Sequence, residues 1–170
     1  MRQIVNGDVS LEIATAAKVK TILTYGTFDM FHIGHLRLLE RLSAMADRVI
    51  VGVSTDEFNL QKGKKTLIPY DQRAEIVAAI SHVDLVIPEV SWDQKIHDVQ
   101  INNVDIFAMG NDWEGKFDFL KDHCEVVYLE RTRNISTTEL KRSLKSFLSI
   151  PHEDLLKAFE VLDMLRQDLE

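Results

Sequence analysis

Five short apolar runs, rich in β-branched residues, recur along the chain, and a helical pattern fills each interval between them. Lys20–Gly26 (KTILTYG) and Arg48–Ser54 (RVIVGVS) read as buried strands, and Val83–Pro88, Val104–Gly110 and Glu125–Leu129 as three more. The amphipathic intervals are Gly34–Ala46, Tyr70–Ser81, Trp92–Asn102 and Gly115–Asp122. Strands alternating with helices of about 10–15 residues imply right-handed crossovers and a mostly parallel sheet. A sheet of that kind is covered on both faces, which is why its strands are apolar on successive residues instead of alternating. The class predicted is α/β: an open, mostly parallel five-stranded sheet with helices on both faces, plus a C-terminal helix. Ligands of such sheets sit beyond the carboxyl ends of the strands, where the strand order reverses.

The 170 residues suit one domain, since the common domain size is about 100–150 residues. Residues 1–18 carry little pattern beyond Leu11 and Ile13 and read as an N-terminal extension, a loose arm or an edge strand. Residues 19–148 form the domain proper, and residues 149–170 a C-terminal helical extension. In that extension Leu155, Leu156, Phe159, Leu162, Leu165 and Leu169 share one helical face, which the domain or a second chain must cover. Twenty Lys and Arg against 27 Asp and Glu leave a net charge of −7, which argues against a nucleic-acid or anionic-membrane partner. A single cysteine, Cys124, excludes an internal disulfide, and no apolar run approaches the ~20 residues of a membrane span. A cytoplasmic protein is expected.

The chemistry gathers at the first strand-to-helix junction, Tyr25-Gly26-Thr27-Phe28-Asp29-Met30-Phe31-His32-Ile33-Gly34-His35. Gly26 and Gly34 lack a Cβ, so the backbone there can approach a ligand. The start of the following helix favours a phosphate through its N–H groups and dipole. His32 and His35 can face the same phosphate chain, because histidine donates hydrogen bonds in either protonation state. Their spacing also occurs in zinc sites, but no nearby cysteine or third histidine completes one. Two other segments belong to the same end of the sheet. Gln61-Lys62-Gly63-Lys64-Lys65 places three cations on a loop after the second strand, where the bland reading is a solvated surface loop. Arg131-Thr132 follows the last strand, and Ser136-Thr137-Thr138 precedes a helix expected to begin near Glu139. Hydroxyls and bare N–H groups there make a second phosphate cradle, though one Ser or Thr would serve as an ordinary N-cap.

GTFDxxHxGH followed by a helix resembles the nucleotide signature of the cytidylyltransferases, within the nucleotidyltransferase superfamily and its Rossmann-like folds. Ser54–Lys62, Asp112–Phe119 and Arg131-Thr132 with Ile135–Thr138 narrow the likeness to the glycerol-3-phosphate branch of that family, from about Thr21 to about Leu144. The resemblance implies CTP and a small phosphorylated acceptor as substrates, a homodimer, and a magnesium ion carried by the nucleotide phosphates, its protein ligands unassigned. It further implies a product made for a cell-surface polymer such as teichoic acid or capsule. By the same resemblance His32, His35, Lys64 and Arg131 are catalytic. Thr27, Phe28, Asp112, Thr132, Ile135, Ser136, Thr137 and Thr138 join them around CTP, and Asp29, Lys62, Trp92 and Lys95 take the acceptor. On composition alone Lys95 is an exposed helix lysine.

The chain departs from the family pattern at Ser81-His82, where an Arg-Tyr pair is usual, at Asn111 in place of an acidic residue, and at Asn134 in place of glycine. Two other readings therefore stay open: a nucleotidyltransferase with a different phosphorylated acceptor or with ATP, and a non-catalytic nucleotide-binding module.

Overall fold

A computed structural model describes residues 18–132, 135–149 and 151–167, with only the backbone of Phe147 and Leu148. Its strands are β1 (Thr21–Gly26), β2 (Arg48–Ser54), β3 (Leu85–Glu89), β4 (Ile106–Gly110) and β5 (Glu125–Leu129). They form one sheet in the order β3-β2-β1-β4-β5, with every pairing parallel. The helices are α1 (Ile33–Ser43), α2 (Asp56–Gln61), α3 (Tyr70–Ala78), α4 (Gln94–Ile101), α5 (Thr137–Leu148) and α6 (His152–Gln167). The chain runs outward from β1 to β3 and then returns to β4 on the other side of β1. The order thus reverses between β1 and β4, and a crevice opens beyond their carboxyl ends.

Successive residues of the central strands point to opposite faces. Ile22, Val49, Val51 and Ile106 pack with Leu39 and Leu42 of α1 and Val77 of α3. Leu23, Ile50 and Phe107 pack on the other face with Val99 of α4, Phe117 and Leu120. All of these are at most 3% exposed, and burying each stabilises the fold by ~1.5–3 kcal/mol.

Three aspartates set where the strands begin. Asp47 Oδ2 accepts from Lys20 N, Asp84 Oδ2 from Val49 N, and Asp105 Oδ2 from Thr21 N, at 2.7–2.9 Å. Each carboxylate occupies the turn before one strand and closes the start of its neighbour. This explains why β3 and β4 begin two residues later than their apolar runs: Val83-Asp84 and Val104-Asp105 belong to the turns. The helices likewise end one to three residues short of their amphipathic stretches.

Other expectations are corrected. Gly115–Asp122 holds only a 3₁₀ turn, Asp118–Asp122, after a first one at Asn111–Trp113. The buried pair Phe117 and Leu120 is three residues apart, the spacing at which a 3₁₀ turn aligns its side chains. The last helix of the domain starts at Thr137, before Glu139. Helix α2 falls in a segment without amphipathic period and is held instead by its cap, Thr55 Oγ1 accepting from Phe58 N at 3.2 Å. Among the described residues nothing covers the apolar face of α6: Leu155, Leu156, Phe159, Leu162 and Leu165 are 37–63% exposed. Residues 1–17 of the arm expected at residues 1–18, the departure at Asn134 and Leu169 of the C-terminal face lie outside the described residues.

Candidate active site

The turn after β1 is the most contorted part of the described backbone. Phe28 and Met30 both have positive φ, 53° and 49°, a region that costs a side chain of this size energy. A Cβ on Gly26 would stand 2.7 Å from the Phe28 ring, and one on Gly34 would stand 2.8 Å from the His32 ring. The two glycines therefore make room for neighbouring side chains of the same turn. Arg73, fully buried on α3, ties the turn down by donating from Nη1 to the Thr27 carbonyl at 2.5 Å. Its other nitrogens reach the Ile68 carbonyl and Asp56 at 2.8 and 2.6 Å.

His32 caps α1. Its Nδ1 accepts from Gly34 N at 3.0 Å, and His35 Nδ1 accepts from His32 N at 3.3 Å. A backbone N–H can only donate, so both Nδ1 atoms are bare and both Nε2 atoms carry the proton. The rings stack at 3.9 Å between centroids. Burial, reinforced by the charge of neighbouring His32, pushes His35 down to about 4, and burial also holds His32 below the usual histidine range. Near neutral pH the pair is uncharged, presenting two N–H donors. The first-turn N–H groups of Gly34 and His35 are already bonded to His32, so α1 is not the open phosphate cradle that the sequence suggested.

The facing wall is the start of α5. Thr137 Oγ1 donates to the Asp29 carbonyl at 3.2 Å and lies 3.4 Å from His32 Nε2, which joins this wall to the histidine turn. Ser136 Oγ caps Glu139 N at 3.1 Å. Helix N-termini leave their first N–H groups without intrahelical acceptors, and Ser136 supplies one of the missing acceptors as an ordinary N-cap would. Lys141, one turn on, bonds Asp29 Oδ2 at 2.6 Å and the Lys65 carbonyl at 2.8 Å. Although burial works the other way, Lys141 and the N–H groups of Leu67 and Ile68 keep the Asp29 carboxyl below the usual carboxylate range.

At the β2–β3 side, Lys62 donates to Ser54 Oγ at 2.8 Å and to Glu89 Oε2 at 3.2 Å, while Lys95 donates to Glu89 Oε1 at 2.8 Å. Lys95 is 1% exposed, against the exposed position its composition suggested. Trp92 stands over both ammonium groups, 4.9 Å from Lys95 and 5.6 Å from Lys62.

These walls enclose a cavity of about 490 Å³ at the carboxyl ends of β1 and β4. Thr27, Phe28, Asp29, His32, His35, Lys62, Lys64, Trp92, Asp112, Arg131, Thr132, Ile135, Ser136, Thr137 and Thr138 all line it, and Lys95 lies just behind. Sequence reasoning gave no role to Arg41, Ser54, Glu89, Trp113 and Lys141 on the same lining, and named Lys65 only as one of the loop's three cations. Among the described residues its charged side chains are six cations against four carboxylates, in a chain of net charge −7. That local surplus suits a polyphosphate.

Residues 23–143 match the cytidylyltransferase-like family. Glycerol-3-phosphate cytidylyltransferase of Bacillus subtilis (strain 168) is 56% identical over 126 residues, 74% of this chain and 98% of that one. The enzyme of the same description from Staphylococcus aureus (strain NCTC 8325 / PS 47) is 55% identical, over 74% of this chain and 96% of its own length. Among solved structures, the lipopolysaccharide core biosynthesis protein of Thermoplasma volcanium GSS1 superposes with a TM-score of 0.60 at 21% identity, covering 68% of this chain and 99% of that one.

Proposed function

The chain belongs to the cytidylyltransferase-like family, and we propose that it transfers the cytidylyl group of CTP to sn-glycerol 3-phosphate, forming CDP-glycerol and pyrophosphate. The likeness to the Bacillus and Staphylococcus enzymes supports the acceptor. The geometry supports the chemistry, and one observation carries it: the neutral histidine pair and Lys62 line one cavity, with Lys95 held just behind by the Glu89 carboxylate it shares with Lys62.

In this reading an acceptor phosphate oxygen attacks the α-phosphorus of CTP, and the bond from the α-phosphorus to the bridging oxygen breaks as pyrophosphate leaves. A phosphate monoester has its second pKa near ~6, so the nucleophile is already a dianion and no general base is required. His32 and His35 donate from Nε2 to the α-phosphate oxygens, on which negative charge grows in the transition state. Their neutrality matters, because a donor that does not titrate near pH 7 holds its role across the working range. Lys64, Arg131 and the Ser136–Thr138 turn hold the phosphates, and Thr27, Phe28, Asp112, Thr132 and Ile135 shape the nucleotide site. Lys62, Lys95 and Trp92 receive the acceptor phosphate, and Asp29 anchors the loop that carries Lys62 through Leu67 and Ile68. Among the described residues no group of three or more ligating side chains could hold a metal. A magnesium ion coordinated by the nucleotide's phosphates and water fits that lining, and it would offset pyrophosphate charge.

We also propose that the chain works as a homodimer and that α6 contributes to it. The family match ends before α6, whose apolar side chains need a partner. No helix among the described residues is long and apolar enough to cross a membrane.

The test is pyrophosphate release across a matrix of nucleotides and phosphorylated acceptors. CTP with glycerol 3-phosphate should exceed every other pair. Equal use of ATP, or a better acceptor, would overturn the assignment.

A further inference from the structure

Glu89 closes β3 at the acceptor end of the cavity and is 3% exposed. Its two oxygens take bonds from three donors: Lys95 on Oε1, and Lys62 with the Ser54 hydroxyl on Oε2. The surrounding elements add few other charges. Lys64 faces Lys62 from the loop. On α4, Asp98 is bonded to the Tyr25 hydroxyl at 2.5 Å and to Gln94 at 2.7 Å. The remaining neighbours are rings: Phe58 lies 4.2 Å from Lys62, and Tyr25 lies 4.5 Å from Lys95. Two ammonium groups thus share one buried carboxylate, and without it they would repel each other in surroundings that penalise unpaired charge.

We propose that Glu89 is a positioning residue for the acceptor: its carboxylate holds the ammonium groups of Lys62 and Lys95 together and aims them at the point where the acceptor phosphate binds. The proposal rests on the acceptor reading of those two lysines. It also makes a counterintuitive demand. A carboxylate beside an anion site should oppose the anion by direct repulsion, so removing it should tighten binding. If Glu89 instead maintains the lysines, removing it must weaken binding, because both lose the partner that aims them and Lys62 loses the charge that opposes the lowering effect of burial.

Steady-state kinetics of the full chain, Glu89→Gln and Ser54→Ala decide between the two signs. Glu89→Gln should raise the acceptor KM about 10- to 100-fold, the scale of a lost charge-assisted hydrogen bond, with the CTP KM little changed. That rise should grow as the pH increases above neutral, because burial already holds Lys62 below the usual lysine range and the variant lacks the carboxylate that opposes that shift. Ser54→Ala, which removes only the hydroxyl shared by Lys62 and Glu89, should raise the acceptor KM by a smaller factor. An unchanged or lowered acceptor KM in Glu89→Gln overturns the proposal, as does an equal rise in both KM values. If Glu89→Gln does not fold, an unchanged acceptor KM in Ser54→Ala overturns it. Failure of the unaltered protein to turn over CTP with glycerol 3-phosphate refutes the proposed function instead. Titration of the same proteins with inorganic phosphate, followed by the fluorescence of Trp92 beside the lysine pair, then still reads the sign: weaker binding in the variants supports the proposal, and equal or tighter binding overturns it.

Discussion

At the end of the cavity proposed for the acceptor, Ser54, Glu89 and Lys95 are at most 3% exposed and bond to one another. At the end proposed for the nucleotide the Arg131 side chain is 68% exposed, with Asp112 3.6 Å away, and Lys64 and Thr138 face solvent. The acceptor end has its charges desolvated and aimed as part of folding, so its geometry exists before a ligand arrives. The nucleotide end keeps its groups hydrated, which costs the fold little, and leaves the nucleotide to bring them together. Stability and binding are therefore coupled at one end of the cavity and separable at the other.

The largest effect should come from breaking the buried end. Lys95→Met leaves Glu89 short of a partner and should destabilise the protein by about 3–5 kcal/mol in denaturant unfolding, the cost of breaking a buried pair. Arg131→Ala should change stability by no more than ~0.5 kcal/mol while raising the CTP KM. Equal stability losses would erase the contrast between the two ends. Between them stand the histidines: His35→Ala should lower kcat by ~10²–10³-fold with a much smaller change in CTP affinity. A stable variant with near-normal kcat would end the catalytic assignment.

A smaller effect belongs to Lys64→Ala, which should raise the CTP KM about tenfold and leave the acceptor KM alone. Added salt should shrink that penalty, because the ammonium group is solvent-exposed. The smallest effect is one of pH. His35 is held at about 4 in the fold, below the ~6.5 of an unfolded chain. The unfolded chain therefore binds more protons below about pH 6.5, so acidification should lower stability progressively until about pH 4. His35→Asn should remove that part of the slope in thermal melts taken across the window, and an unchanged slope would place the acid sensitivity elsewhere.

The legible parts of the site were those whose signal is local. His32 and His35 stand three residues apart on one turn, and Ser136–Thr138 lie directly before a helix, so short stretches of sequence identified both walls. Glu89 was illegible because it looks like the polar end of an edge strand. Composition alone made Lys95 a surface lysine because nothing local marks it as lying, with Asp98 and Val99, on the face of α4 that turns inward to a buried carboxylate. Their meaning depends on Ser54, 35 residues before Glu89, and on Lys62, 27 residues before it.

By itself the sequence determined the alternation of strands and helices, the two-faced core and the position of the crevice, because β-branched runs and helical periodicity act over a few residues and leave few arrangements that bury them. Only the tertiary structure decided that the histidines are neutral, that the first N–H groups of α1 are already bonded, that one carboxylate serves two lysines, and that the described part of the domain leaves α6 uncovered. Protonation and hydrogen-bond partnership depend on which groups meet in low dielectric, as when Thr137 reaches His32 across 105 residues of chain. No local pattern encodes such a meeting.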